Sequence, residues 1–363
     1  MYSFEPSEEQ KIIVDAARKL AIKEFRSRMR DADESGTPAP EWMQSGWELG
    51  LLPASISEEY GGYGEHSALT SVLATEELAW GDLSATLTLT APNLVAIPIL
   101  LCGTEQQKKE MLPHFCAETF VPGSTALMEP RIDFDPNSPK TSATKKNGKY
   151  TLSGIKCNVP FAAESEWVLA YASCEGKCEG FLIPKGTPGL IVKEREQNMG
   201  MNAFPLYSVE LQNCEVLAAQ RLGGEAGCDF QLILASSRAA LASMAVGVAR
   251  AAYEFAVDYA KNRKAFGEMI AQRQSIAFTL ADLITDIEAA RLLVWEVAWL
   301  LDQKKDASRE AYAAMNFAGD VSLMVTDRAV QILGGYGFIR DYPVELYLRN
   351  ARGFGVMEGI AIV

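Results

Sequence analysis

From Ile276 the apolar positions run Ile276, Leu280, Leu283, Ile287, Ala290, Val294, Val297 and Leu301, in alternating steps of four and three. That spacing lays one stripe along a helix and is the seam of a packed bundle, so these residues read as core. The segments 227–264 and 308–333 match it in length and apolarity, and the three together predict a four-helix-type bundle. Between residues 116 and 220 the period shortens. KKNGKYTLSGIK places Asn147-Gly148 where a two-residue type I′ hairpin turn is expected, with Tyr150 and Leu152 alternating after it. EWVLAYAS, CEGFLIPK, GLIVKE and YSVELQNCEV are further strands, several of them set apart by Pro or Gly, and their close spacing suggests a small barrel or sandwich. The first 115 residues read as helices. Ser7 with Gln10 forms a capping box for a helix through roughly Met29, Pro38-Ala39-Pro40 breaks the pattern, and a second helix follows. After the turn-rich ISEEYGGYGE, helices resume over 67–80 and 104–115. The chain is therefore expected to be mainly α with a central β-domain: a helical domain over 1–115, a small β-barrel over 116–220 and a helical bundle over 221–363.

Composition narrows the class without naming it. The 363 residues are 48% hydrophobic and 22% charged, enough for a large core in two or three domains. The formal charge of −13 argues against nucleic acid or an anionic membrane as partner. No run reaches 18 apolar residues, so no membrane-spanning helix is expected, and the first 25 residues lack the basic-then-apolar order of a signal peptide. Seven scattered cysteines, an odd number, fit a reducing compartment, and a cytoplasmic location is expected. Cys174 and Cys178 are the one close pair, and His66 and His114 are the two histidines, so the pair reads as a hairpin with two thiols and no metal is expected.

Candidate chemistry lies near the carboxy end, in RNARGFGVMEGIAIV (349–363). Glu358 is the single acidic residue in that stretch. On its own it is either a solvated carboxylate at a frayed end or a base held in an apolar setting.

Several strings, in order, resemble the acyl-CoA dehydrogenase family: ISEEYGGYG (56–64), TEELAWGD (75–82), GTEQQKKEMLP (103–113), YAKNRKAFGEMIAQRQSIAFTLADLITDIEAARLL (259–293) and QILGGYGFIRDYPVELYLRNAR (331–352). The resemblance spans nearly the whole chain. It implies an FAD enzyme that dehydrogenates an acyl-CoA thioester between its α and β carbons. It also implies an electron-transfer flavoprotein as acceptor and a homo-oligomer, usually a dimer of dimers. RNAR followed by VMEG puts Glu358 on the position of the family's catalytic base. An α-proton beside a thioester is a weak acid, and a carboxylate in a dry pocket is a better base near neutral pH. The family holds the thioester oxygen with the base's own backbone N–H and a flavin ribityl hydroxyl. Some branches place the base on a long helix just before an Arg. The matching position is Ser237, before Arg238, and serine cannot do that work.

By the same resemblance Arg263, Phe266 and Gln274 reach the FAD of a neighbouring subunit, the Arg at its pyrophosphate, while Gln331, Gly334 and Gly335 let backbone approach its adenosine part. Leu127, Met128, Asn158, Val159, Pro160 and Ile360 fall on flavin-side positions. Phe134, Arg238, Met357 and Gly359 fall on substrate-side ones.

The flavin-side strings depart from the family pattern. Met128 stands for a threonine, Asp133-Phe134-Asp135 for Gly-Ser-Asp, Asn158 for the tryptophan that covers the ring, and Pro160 for a threonine donor; Glu129, Pro130, Asp135 and Thr141 keep the pattern. Two or three lost hydrogen bonds at about 1 kcal/mol each are expected to weaken FAD by tens- to hundreds-fold. Met357 and Ile360 replace the usual Tyr and Thr, and the family's further C-terminal helix does not follow Val363, which bears on the tetramer. Phe134 and Met357 hint at a filled, short acyl pocket. Three readings follow: an active dehydrogenase, a cofactor-poor subunit with a binding role beside an active paralogue, and another flavin chemistry on the same fold. The presence of Glu358, Arg263 and GGYG favours the first.

Overall fold

The computed structural model describes residues 5–363. Ser7 and Gln10 form the expected capping box at the start of α1 (Glu8–Leu20). The helical path then passes through one π-helical turn (Ala21–Phe25) into α2 (Arg26–Ser35), ending six residues beyond Met29. Pro40 opens α3 (Pro40–Glu48), where proline's fixed φ suits a first helical position. Next come α4 (Ala68–Gly81), α5 (Leu83–Leu89), α6 (Asn93–Cys102) and α7 (Glu105–Met111), with Ser67, Asp82 and Thr104 capping α4, α5 and α7. Hydrophobic periodicity does not reveal α5 and α6. Nearly every residue from 83 to 99 is buried, so no polar face marks the helical repeat, and α6 carries Pro98 inside it.

Seven strands follow: β1 (Ser124–Ala126), β2 (Ser142–Lys146), β3 (Lys149–Pro160), β4 (Trp167–Cys174), β5 (Lys177–Pro184), β6 (Leu190–Arg195) and β7 (Leu206–Leu217). Asn147 and Gly148 take φ of 50° and 73°, the left-handed pair that a type I′ turn requires, and join β2 to β3. The strands form one sheet, ordered β1-β4-β2-β3-β7-β6, with β5 paired to β4. Residues from nearly every strand, among them Ala126, Leu152, Ala170, Phe181 and Val209, share one buried cluster, so the sheet curls around its own core.

The helical remainder is α8 (Phe230–Asn262), a short hairpin β8 (Lys264–Ala265) and β9 (Glu268–Met269), α9 (Gln274–Asp302), α10 (Ser308–Leu333) and α11 (Val344–Ala351). The seam Leu280, Leu283, Ile287, Ala290, Val294, Val297 and Leu301 is buried as its spacing predicts, and Ile276 at its start is half-buried against the same core. Helix α8 is the one helix among the described residues that is long and apolar enough to cross a membrane, yet its apolar window is 94% buried by its neighbours. It is the central helix of the bundle. Where α4 crosses α8, Arg250 donates to Glu76 and Glu77, and Arg291 of α9 also donates to Glu76. The Trp80 ring lies between the guanidinium groups of Arg18 and Arg26, at 3.3 and 3.2 Å.

The same crossing demands a glycine. A Cβ on Gly247 would lie 2.4 Å from the Glu76 carbonyl oxygen and 2.9 Å from Ala79 Cβ. Gly247→Ala is expected to lower stability by about 1–3 kcal/mol, read as an earlier urea midpoint at unchanged m.

Candidate active site

Lys156 on β3 is fully buried. Its Nζ donates to the Leu127 carbonyl at 2.9 Å and to Glu129 Oε1 at 3.1 Å. Glu129 also accepts the N–H of Thr141 at 2.8 Å, the N–H of Lys140 at 2.9 Å and the Arg131 Nε–H at 2.9 Å. Both ends of the 129–141 loop are thus tied to one carboxylate, and Arg131 closes its middle by donating to Asp133 O and Ser138 O. Burial pushes the Glu129 carboxyl up, but Lys156 and the two backbone N–H groups outweigh it and hold it at about 2. Burial lowers Lys156, with Glu129 opposing the shift.

The register of β3 against β7 slips between Lys156 and Val159, and Asn158 sits at φ 51° in that bulge. The bulge aims Asn158 at the carboxy-terminal segment. Asn158 Nδ2 donates to the Val356 carbonyl at 3.3 Å and lies 3.7 Å from Met128 Sδ. The Glu358 N–H points at the same sulfur, at 3.4 Å. Met128, Asn158 and Glu358, distant in sequence, therefore meet at one point. Val159 and Pro160 do not join them: both side chains are buried, Val159 within the β-domain core. Leu127 is buried against Gly359, where an added Cβ would lie 2.5 Å from Leu127 Cδ2.

The Glu358 side chain is 19% exposed, and its Oε1 accepts from Arg238 Nε at 2.8 Å. Arg238 is itself 9% exposed, with its guanidinium 5.0 Å from the Tyr312 ring centre. Both residues line a groove of about 690 Å³, together with Phe134, Asn316, Gly319 and Arg352. Oε2 of Glu358 has no hydrogen-bond partner among the described residues. Met357 and Ile360, the neighbours in sequence, are buried and do not line the groove. Tyr312, Asn316 and Gly319 were not foreseen as site residues. Their spacing of four and three on α10 is a helical stripe, and a polar residue among apolar ones on that stripe was the available signal.

Residues 7–119, 124–214 and 230–361 match, in order, the N-terminal, middle and C-terminal domains of acyl-CoA dehydrogenases. An acyl-CoA dehydrogenase of Bacillus subtilis is 34% identical over 362 residues, 97% of this chain and 95% of that one. The solved structure of butyryl-CoA dehydrogenase from Megasphaera elsdenii superposes with a TM-score of 0.90 at 32% identity, covering 99% of this chain and 96% of that one. A chain from a structure described as the electron transferring flavoprotein of Acidaminococcus fermentans gives the same TM-score at 34% identity, with 99% and 96% covered. The chain belongs to the acyl-CoA dehydrogenase family.

This family is one of flavin-dependent oxidoreductases, and the chain's residues divide unevenly around such a cofactor. Arg263, Phe266, Gln274, Gln331, Gly334 and Gly335 are all exposed, and none of them lines the groove at Glu358. Phe266 is 96% exposed at the tip of the β8–β9 hairpin, and the Arg263 guanidinium lies 5.2 Å from the Tyr336 ring centre. Gly334 takes φ 60° and ψ −130°, a conformation reserved for glycine, and a Cβ on Gly335 would meet nothing within 4 Å. This end is open to an outside group and suits an adenosine diphosphate. At the ring end an isoalloxazine needs about 7 Å between its flanking surfaces, twice the optimal carbon–carbon separation. The contacts of Asn158 with Val356 and of Met128 with Glu358 are closer than that. Both contacts are made by side chains, so Asn158 and Met128 are the residues that would have to turn aside for a ring to enter here.

Because the Glu129 carboxyl is depressed, its contribution to stability is complete above the usual carboxylate value of 4.5 and is lost as pH falls toward about 2. Acid titration is expected to destabilise the protein through that window. Glu129→Gln should flatten this part of the profile, while Lys156→Met removes one of the carboxylate's two cationic partners, leaves Arg131 and two backbone N–H groups, and costs about 1–3 kcal/mol by denaturant unfolding.

Proposed function

We propose that this acyl-CoA dehydrogenase removes the α-proton of an acyl-CoA thioester with Glu358 while the β-hydrogen leaves as hydride. The observation that carries the reading is a carboxylate on the wall of a 690 Å³ groove with one oxygen engaged and the other free. Arg238 fixes the orientation of that carboxylate through Oε1, which leaves Oε2 to take the proton. The Glu358 N–H rests on a thioether sulfur, a weak acceptor, so an enolate oxygen replaces it at a gain once Met128 moves. When bound, FAD supplies the hydride acceptor. The open patch around Arg263 and Gly335 supports a cofactor shared between subunits, and hence a homo-oligomer; the likeness to the chain from the Acidaminococcus fermentans structure supports an electron-transfer flavoprotein as the onward acceptor.

A second reading is a cofactor-poor subunit that binds thioesters or a paralogue. The closed contacts among Met128, Asn158, Val356 and Glu358 favour it. Absorbance separates the two. The purified protein is expected to be yellow and to bleach on addition of a suitable acyl-CoA. Glu358→Gln is expected to keep the yellow colour and lose turnover by at least about a hundredfold. Colourless protein that refuses added FAD supports the second reading.

A further inference from the structure

The Glu358 N–H and the Asn158 side-chain amide converge on one atom, the Met128 sulfur, at 3.4 and 3.7 Å. Among the described residues Met128 is the one methionine whose sulfur accepts hydrogen bonds. A thioether is a weak acceptor, so two good donors end on a poor partner. The backbone at this point is held. Leu127 and Glu129 on either side are buried, and the Met128 carbonyl accepts the Cys157 N–H at 3.0 Å. The Met128 side chain itself is half-buried, unbranched and able to shift. The other methionines differ. Met201, Met244 and Met357 are buried in the apolar core, and Met199 is exposed without such donors.

We infer that Met128 is an oxidation site whose product takes the place of the thioester oxygen. The oxidant is a peroxide. The thioether sulfur gives an electron pair to one peroxide oxygen and the O–O bond breaks. The other oxygen leaves as hydroxide, takes the proton of the transferred hydroxyl and becomes water. The sulfur is oxidised by two electrons to a sulfoxide, which converts an apolar side chain into a polar one. The new oxygen is a strong acceptor. With a small withdrawal of the side chain it meets the Glu358 N–H and the Asn158 amide at the ordinary distance of about 2.9 Å. The two donors are therefore better satisfied by the oxidised residue than by the reduced one. The consequence for binding rests on the role of Glu358 proposed above, in which its N–H holds the carbonyl oxygen of a bound thioester. The thioether yields that N–H readily, and the sulfoxide competes for it. Methionine sulfoxide reductases reverse the step chemically.

The test uses two ligands that differ only at the carbonyl, acetyl-coenzyme A and the thioether S-ethyl-coenzyme A. The first has no β carbon and the second no acidic α-proton, so binding is read without turnover. Titration calorimetry is run on the full chain before and after dilute hydrogen peroxide, and peptide mass spectrometry locates the added oxygen. Oxygen is expected on Met128. The acetyl-coenzyme A dissociation constant is expected to rise at least about tenfold, and that of the thioether to change by less than about twofold. Met128→Leu has no sulfur at this position, and its affinity for acetyl-coenzyme A is expected to be the same before and after peroxide. Peroxide that oxidises Met199 and leaves Met128 a thioether overturns the inference. So does an oxidised Met128 with both ligands weakened alike, or with neither weakened. Those outcomes leave thioester binding itself intact. Untreated protein that binds neither ligand overturns the thioester reading and the inference together.

Discussion

The buried Lys156–Glu129 pair is the constraint on which the site depends. Taking two charges out of water is costly, and the pair is tolerated because both charges are hydrogen-bonded: Nζ reaches Leu127 O and Glu129, and the carboxylate collects two backbone N–H groups and Arg131. The geometry that results is specific. It fixes where the chain leaves β1, where the 129–141 loop returns, and where β3 bulges to present Asn158. Met128 and Asn158 reach the carboxy-terminal segment because this pair sets the frame on which both stand.

A second pairing acts at the other wall. Arg238 belongs to α8, the central helix of the bundle, and its guanidinium is held between the Tyr312 ring and the Glu358 carboxylate. The Glu358 carboxylate is therefore positioned by the helical bundle while its N–H meets Met128, between β1 and β2. The helical bundle and the β-domain side thus converge on one residue, in a short irregular segment between two buried stretches. The buried residues on either side, Met357 and Ile360, anchor that segment.

The groove and the small cavity lie on either side of the carboxy-terminal segment, lined by Glu358 and Gly359 respectively. Polar and charged side chains line the space open to solvent, and apolar ones line the space closed by the tail. The open patch carrying Arg263, Phe266 and Gly335 lines neither space, and Phe266 at the hairpin tip is 96% exposed.

The sequence by itself determined the block order, the hairpin at Asn147-Gly148, the seam of α9 and the candidacy of Glu358. These are local: a period of 3.6, a turn needing two positive φ values, and a carboxylate among apolar neighbours are each written within a few residues. It did not reveal α5 and α6, because helices buried on all sides lose the polar–apolar alternation that marks them. Nor did it show that Val159 turns into the β-core while Asn158 turns out. A bulge that shifts the register by one residue exchanges the faces of a strand, and that is decided by pairing with β7 across more than 40 residues of chain. The partner of Glu358 was equally invisible: Arg238 lies 120 residues away and meets it only because α8 packs at the centre of the bundle. Contacts between residues far apart in the chain depend on how whole elements pack, and packing is a property of the folded molecule.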